Sequence, residues 1–317
     1  MASIPAMLRR LLGKRPVPQT QATAPTPSNL VIPPSYIPPA QPAQPRELTE
    51  EECYALIREP KAQKVVQYTP EIIAKVIGQL RNLGFEVRDI EVDAEEYRRY
   101  FAKAGYPTRF PNYYSFNLPE KSLEHYMAAK LLDLRPDDVY IDIASEHSPV
   151  PQIYAEQFGC TTYRQDLAYP AGLLGDQIGG DAAAMPVPDG FASKMALHCS
   201  FEHFEGDADM RFIREVGRVL RSGGRVCFAP IYLFEEFVNQ AGVIAAHKTK
   251  VEFDAGATVY AKPGWRHNFA RYYDPAHLAG RIRANADGLD LTVYNVTNAR
   301  TIDPSCYLRF ILLASKP

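Results

Sequence analysis

Several things are missing from this chain of 317 residues, and each absence narrows its class. No run of about 18 apolar residues occurs, so no ordinary membrane-spanning helix is expected. The five cysteines are scattered, at positions 53, 160, 199, 227 and 306, and no two are separated by only two residues. That spacing points away from both a disulfide framework and a zinc site, and a reducing cytoplasm is the simplest setting. No metal site is expected. Neither sign of charge dominates: the formal net charge is -2, which gives no strong field for nucleic acid or an anionic membrane. The N-terminus, MASIPAMLRRLLGKR, lacks the apolar core of a secretory signal. No GxGxxG fingerprint occurs, which weighs against a nicotinamide-dependent oxidoreductase.

Proline, by contrast, is abundant and unevenly placed. Ten of the 27 prolines fall in residues 16–46. Proline removes amide donors and fixes φ, so residues 1–46 are expected to form an extended, disordered tail. Within it, Met7, Leu8, Leu11 and Leu12 share one helical face with arginines around it, a pattern open to a weak membrane-surface or protein contact. Order is expected from about Leu48. Thr49 with Glu52 makes a capping box, and Thr69 followed by Pro70 opens a second helix with Ile73, Val76, Ile77 and Leu80 as its stripe. Asp93 and Glu96 open a third, stopped by Gly105. Residues 47–119 therefore read as an N-terminal helical cover, with Tyr113, Tyr114 and Phe116 near the entrance to the core domain.

From Val139 the pattern becomes alternating β and α. VYIDIA is continuously apolar but for its aspartate, as suits a parallel strand covered on both faces. TTYRQ and KMALHCSF read as further strands, and Met210, Ile213, Val216 and Leu220 space a helix. LTVYNV and CYLRFILLAS form a C-terminal antiparallel pair. A crevice at the carboxyl ends of such strands takes nucleoside-like ligands. Asp142 and Asp166 end the first two strands, and Asp181 follows with Ala182 and Met185 nearby, where a sulfonium, a ribose diol and an adenine amino group each want a carboxylate.

In this order the segments VYIDIASEHSP, TYRQDL, GDAAAMPVPD, FEH and RVLRSGG resemble class I S-adenosylmethionine-dependent methyltransferases of the small-molecule type. The resemblance covers residues 120–317. It implies an α/β, Rossmann-like sheet ending in the antiparallel pair, an enzyme, and S-adenosyl-L-methionine as cofactor. It also implies cofactor contacts at Asp142, Ala144, Ser145, Glu146, Asp166, Asp181, Ala182 and Cys199. The departure is the first loop, where the family's three glycines are replaced by Ala144, Glu146 and Ser148. A fold that has lost turnover and serves as a binding or scaffold protein is the competing reading.

Methyl transfer to oxygen also needs a base. His203, which follows the strand lining the acceptor side, is the first candidate, His198 the second and His147 a third. The segment AKPGWRHNFARYYD carries Trp265, Arg266, His267, Arg271 and Tyr272. Aromatic faces with guanidinium groups suit a small-molecule or glycan-type acceptor, or an anion held by an arginine fork. VEFDAGATVYAK just before it reads as a hairpin.

Overall fold

The computed structural model describes residues 46–317, and residues 48–317 form one compact unit. The expectations for the N-terminal apolar face and the proline-rich tail lie outside the described residues, apart from Arg46. No described helix is long and apolar enough to cross a membrane.

The strands are β1 (Lys61–Ala62), β2 (Glu86–Ile90), β3 (Val139–Ile143), β4 (Thr161–Asp166), β5 (Gly172–Leu174), β6 (Gln177–Gly179) and β7 (Ala192–His198). They continue as β8 (Leu220–Ala229), β9 (Val238–Ala241), β10 (Thr258–Ala261), β11 (Ala270–Tyr272), β12 (Asp290–Val296) and β13 (Phe310–Ser315). A large sheet runs β2-β12-β13-β8-β7-β3-β4-β6-β5. Its centre, from β8 through β6, is parallel. β13 is antiparallel to both β8 and β12, so the expected reversed strand is present, inside the sheet rather than at its edge. The chain leaves β3 toward β4 and β6, then returns to place β7 on the other side of β3. The crevice outside the carboxyl ends of β3 and β7 is thus a topological switch point, where open α/β sheets bind ligands.

The pleat sorts the core into two layers. Asp142 is level with Ala196, and Ala196 with Cys227; on the opposite face Ile141 is level with Met195 and Met195 with Val226. Ile141, Met195 and Val226 pack with Phe212, Ile213 and Val216 of the helix Ala208–Val219, and with Val76 and Leu80 of the helix Pro70–Asn82. Tyr140, Ala196 and Cys227 pack under the helices Ala94–Ala104, Leu118–Leu132 and Val150–Phe158. Both N-terminal caps form as expected: the Thr49 capping box is complete, and the Thr69 hydroxyl accepts from the Ile72 amide.

Two expectations need correction. Residues 47–119 are not purely a helical cover, because β2 joins the edge of the large sheet beside β12. Nor is VEFDAGATVYAK a hairpin. Only its end is a strand, β10, which lies parallel between β1 and β9 in a second sheet of order β1-β10-β9-β11. This small sheet is largely an insertion between β8 and β12. Cys53 and Ile57, in and just after the first helix, pack on its Val259 and Ala261.

Candidate active site

Asp142 is buried near the end of β3. Its Oδ1 accepts from the Tyr140 hydroxyl at 3.0 Å and its Oδ2 from Ser145 Oγ at 2.8 Å. Burial pushes its carboxyl up to about 6, against the opposing pull of these hydroxyls. The loop beyond it has no glycine, yet it keeps a glycine-like path: Ala144 has φ 54° and Glu146 φ 39°. Side chains in that region are strained, and such strain persists where surroundings fix the chain. Here the Ser145 amide donates to the Gln165 carbonyl at 2.9 Å and the Glu146 amide to Asp166 Oδ2 at 2.9 Å. The Tyr169 hydroxyl donates to the Glu146 carbonyl at 2.6 Å. The Glu146 side chain is 61% exposed, beside the exposed ring of His147 at 3.5 Å, so it does not plug the crevice. Ala144 is also exposed and Ser145 is buried.

Asp166 ends β4 half-buried, and its Oδ1 accepts from the Ala168 amide at 2.8 Å. Asp181 caps the short turn Ala182–Ala184 through the Ala183 amide and pairs with Arg211 at 2.9 Å. Against the upward push of burial, Arg211 and that amide hold Asp181 below the usual carboxylate range. Each carboxylate oxygen can accept two bonds, so both groups retain acceptor capacity. With Ala182 and Met185 buried beside them, these residues fit a ribose diol and an adenine.

The other side of the crevice begins at the end of β7. His198 is corrected as a base. Its ring is buried, T-shaped against His125 at 4.7 Å, with Nε2 3.4 Å from the Tyr140 hydroxyl and 3.6 Å from Asp142 Oδ1. Burial, then Lys121, push it down to about 3, so it does not collect a proton at neutral pH. His203 is placed differently. Its Nδ1 lies 2.5 Å from the Phe269 carbonyl, which can only accept. The neutral ring therefore carries its proton on Nδ1 and leaves the Nε2 lone pair free, 3.7 Å from Glu202 Oε1. The His267 ring stacks on His203 at 5.2 Å, and Trp265 sits 5.0 Å from His267. Gly242 allows this approach: a Cβ there would come within 1.8 Å of the Trp265 carbonyl oxygen.

Arg271 is corrected as an acceptor ligand. It is fully buried, and both edges of its guanidinium are used. Nε and Nη2 donate to Asp254 at 2.7 and 2.8 Å, Nη1 to the Phe204 carbonyl at 2.6 Å and Nη2 to the Gly206 carbonyl at 3.0 Å. It ties the loop after β7 to the insertion and has no fork left for an anion. Arg266 is exposed. Tyr272 is half-buried with its ring 4.8 Å from Tyr232.

Cys199 takes φ 52° at the turn after β7, and its Sγ lies 3.3 Å from the Tyr232 hydroxyl and 3.9 Å from that of Tyr307. Burial, then Glu124, push the thiol far up. The helix Leu118–Leu132 brings Glu120, Lys121, Ser122, Glu124 and His125 into the interior, none of which the sequence singled out. Lys121 Nζ sits 3.2 and 3.1 Å from the two oxygens of Glu124, and 5.2 Å from the Tyr114 ring centroid. The Tyr113 hydroxyl meets His125 Nε2 at 3.1 Å, and Phe116 is exposed. The helix is buried nearly all round, so it has no amphipathic stripe to read.

Residues 142–228, starting at Asp142 and ending in β8, match a family model described as "Methyltransferase domain". No curated protein sequence matches the chain. Among solved structures, the chain is similar to the 1,6-didemethyltoxoflavin-N1-methyltransferase of Burkholderia thailandensis with bound 1,6-didemethyltoxoflavin and S-adenosylhomocysteine. That pair has 12% identity over 80% of this chain and 92% of that one, with a TM-score of 0.44. It is also similar to a Haloferax volcanii protein in complex with the Trm112 methyltransferase activator, at 12% identity, 71% and 98% coverage and a TM-score of 0.42. A third is PH0226 of Pyrococcus horikoshii, at 14% identity, 67% and 99% coverage and a TM-score of 0.40. The family match and this chain's own strand order, rather than those likenesses, define the class. Residues 142–228 thus match a methyltransferase domain, set on a doubly wound sheet that carries the reversed strand β13.

Proposed function

We propose that the chain methylates a small-molecule acceptor bound beyond the carboxyl end of β7, with His203 as the base. S-adenosylmethionine supplies an electrophilic methyl group on a sulfonium. In this reading the loop 144–148, Asp166, Asp181 and Ala182 hold the nucleoside end. The loss of one bond, from the Glu146 amide, would free Asp166 Oδ2 for a ribose hydroxyl. Trp265, His267, Tyr272 and the tyrosines of the rim border the acceptor.

The observation that carries the proposal is the His203 arrangement. A carbonyl on Nδ1 fixes the tautomer, a stacked ring fixes the plane, and Nε2 is left to take a proton beside a carboxylate. A positioned base contributes roughly 10²–10⁴-fold to such steps. His203→Ala should therefore lower methyl incorporation by about that factor, with binding of S-adenosylhomocysteine unchanged by calorimetry. Incorporation is read with methyl-labelled donor and a small-molecule extract as the acceptor pool. Unchanged incorporation would remove His203 from the chemistry. Failure of both S-adenosylmethionine and its demethylated product to bind in the millimolar range would overturn methyl transfer itself.

A further inference from the structure

Four of the buried polar side-chain atoms left without a partner among the described residues flank the acceptor side: Glu120 Oε1, His198 Nδ1, Ser200 Oγ and Glu202 Oε2. Native interiors rarely leave such atoms unpaired, and a buried carboxylate without a donor is strongly disfavoured. Glu202 is only 6% exposed, and among the described residues its other oxygen has the 3.7 Å approach of His203 alone. The charges around it do not balance. Lys121 is matched by Glu124. Glu120 accepts from the Tyr307 and Leu308 amides, at 2.8 and 3.2 Å, and shares the same Lys121 as its nearby cation. In the loop that borders the acceptor, Lys262 lies over the Trp265 ring at 5.2 Å and Arg266 is exposed. The arginine that could have reversed the sign, Arg271, is locked in the core. The rings of Tyr114, Tyr232, Tyr272 and Tyr307 supply aromatic faces, which favour cations.

From this placement we infer that the acceptor is a small amine which binds as its ammonium ion, donating to Glu202 Oε2 and packing against the tyrosines. The inference rests on the methyl-transfer reading above. An ammonium has no lone pair, so His203 Nε2 first takes one of its protons and later releases it to water. The freed amine nitrogen then forms its N–CH₃ bond as the donor's S–CH₃ bond breaks, and the sulfonium becomes a neutral thioether. The product is the methylated ammonium ion, so charge and atoms balance. Glu202 thus holds the cation before transfer and faces the protonated imidazole after deprotonation.

Three probes of matched shape test the sign of the site: phenylethylamine, phenylethanol and phenylacetate. They are titrated into the full chain already saturated with S-adenosylhomocysteine, so the donor's own charged groups are in place. The amine should bind at least tenfold more tightly than the alcohol or the acid. Glu202→Gln should lower amine affinity about tenfold, as expected for loss of a charged hydrogen bond, without changing S-adenosylhomocysteine affinity. Glu202→Asp, which keeps the charge, should retain the preference and serves where the glutamine variant does not fold. Equal binding of the three probes, a preference for the acid, or a preference that survives in Glu202→Gln overturns the amine assignment. Intact S-adenosylhomocysteine binding in those cases leaves methyl transfer standing, whereas its absence in the unmodified protein overturns both.

Discussion

Glu146→Gly should make this protein more stable, although it deletes a charged side chain from the loop that borders the crevice. Glu146 has φ 39°, where an L-residue is disfavoured by roughly 1–2 kcal/mol relative to glycine. Glycine returns about 0.5–1 kcal/mol of that through the greater freedom of its unfolded chain. The net gain is then about 0.5–1 kcal/mol, or roughly 1–4 °C in Tm for a domain of this size. Little is lost with the side chain, which is 61% exposed and pairs with the exposed His147. The bonds that hold the loop use the Glu146 backbone, its amide on Asp166 and its carbonyl under Tyr169, and both survive the substitution. Glu146→Ala is the control, since it removes the same charge but keeps Cβ. Urea unfolding of the three proteins with a shared slope gives the comparison. If the alanine and glycine variants are equally stable, or glycine is the worse, the left-handed conformation is not the source of strain. Ala144→Gly, at φ 54°, should act in the same direction.

Asp142→Asn should stabilise the protein above pH 6 by up to about 3 kcal/mol and do little at pH 4. The carboxyl is raised to about 6 by burial, so folding is favoured while it stays protonated. That contribution fades as pH rises from the ordinary carboxylate range through 6; an equal effect at pH 4 and pH 8 would contradict the assignment. Arg271→Met leaves Asp254 without its guanidinium and should destabilise by about 3–5 kcal/mol in urea unfolding. A loss below about 1 kcal/mol would mean that the buried pair is not holding the insertion. Asp166→Ala should weaken S-adenosylhomocysteine binding by roughly 1–3 kcal/mol in calorimetry, and an unchanged affinity would exclude Asp166 from the nucleoside site.

Much of the scaffold was legible because its signals are local. Thr49 with Glu52, Thr69 before Pro70, and Asp93 with Gly105 mark helix ends through bonds within a few residues. The apolar run before Asp142 announces a doubly covered strand, and the C-terminal pair announces reversal. What escaped depends on distant partners. Arg271 read as a free fork because nothing nearby in sequence shows Asp254 closing on it. The polar residues of the helix Leu118–Leu132 gave no sign of their burial, since periodicity does not distinguish water from a buried polar chamber. β10 looked like half of a hairpin because its partners, β1 and β9, are not reached by a turn. The sign of the site escaped for the same reason: its arginine was counted as a ligand, and nothing local marks Glu120, Glu124 and Glu202 as interior carboxylates.

The join of Lys61 to Val259, and of Glu86 to Thr292, has a consequence for biosynthesis. Both early strands leave the ribosome with no mate, and they wait until almost the whole polypeptide has been made. Contacts spanning so many residues close slowly. During that interval the nascent chain offers bare backbone amides to any passing strand, so yield from a rapid expression host should respond to slower translation or a holding chaperone more than to sequence changes in the crevice.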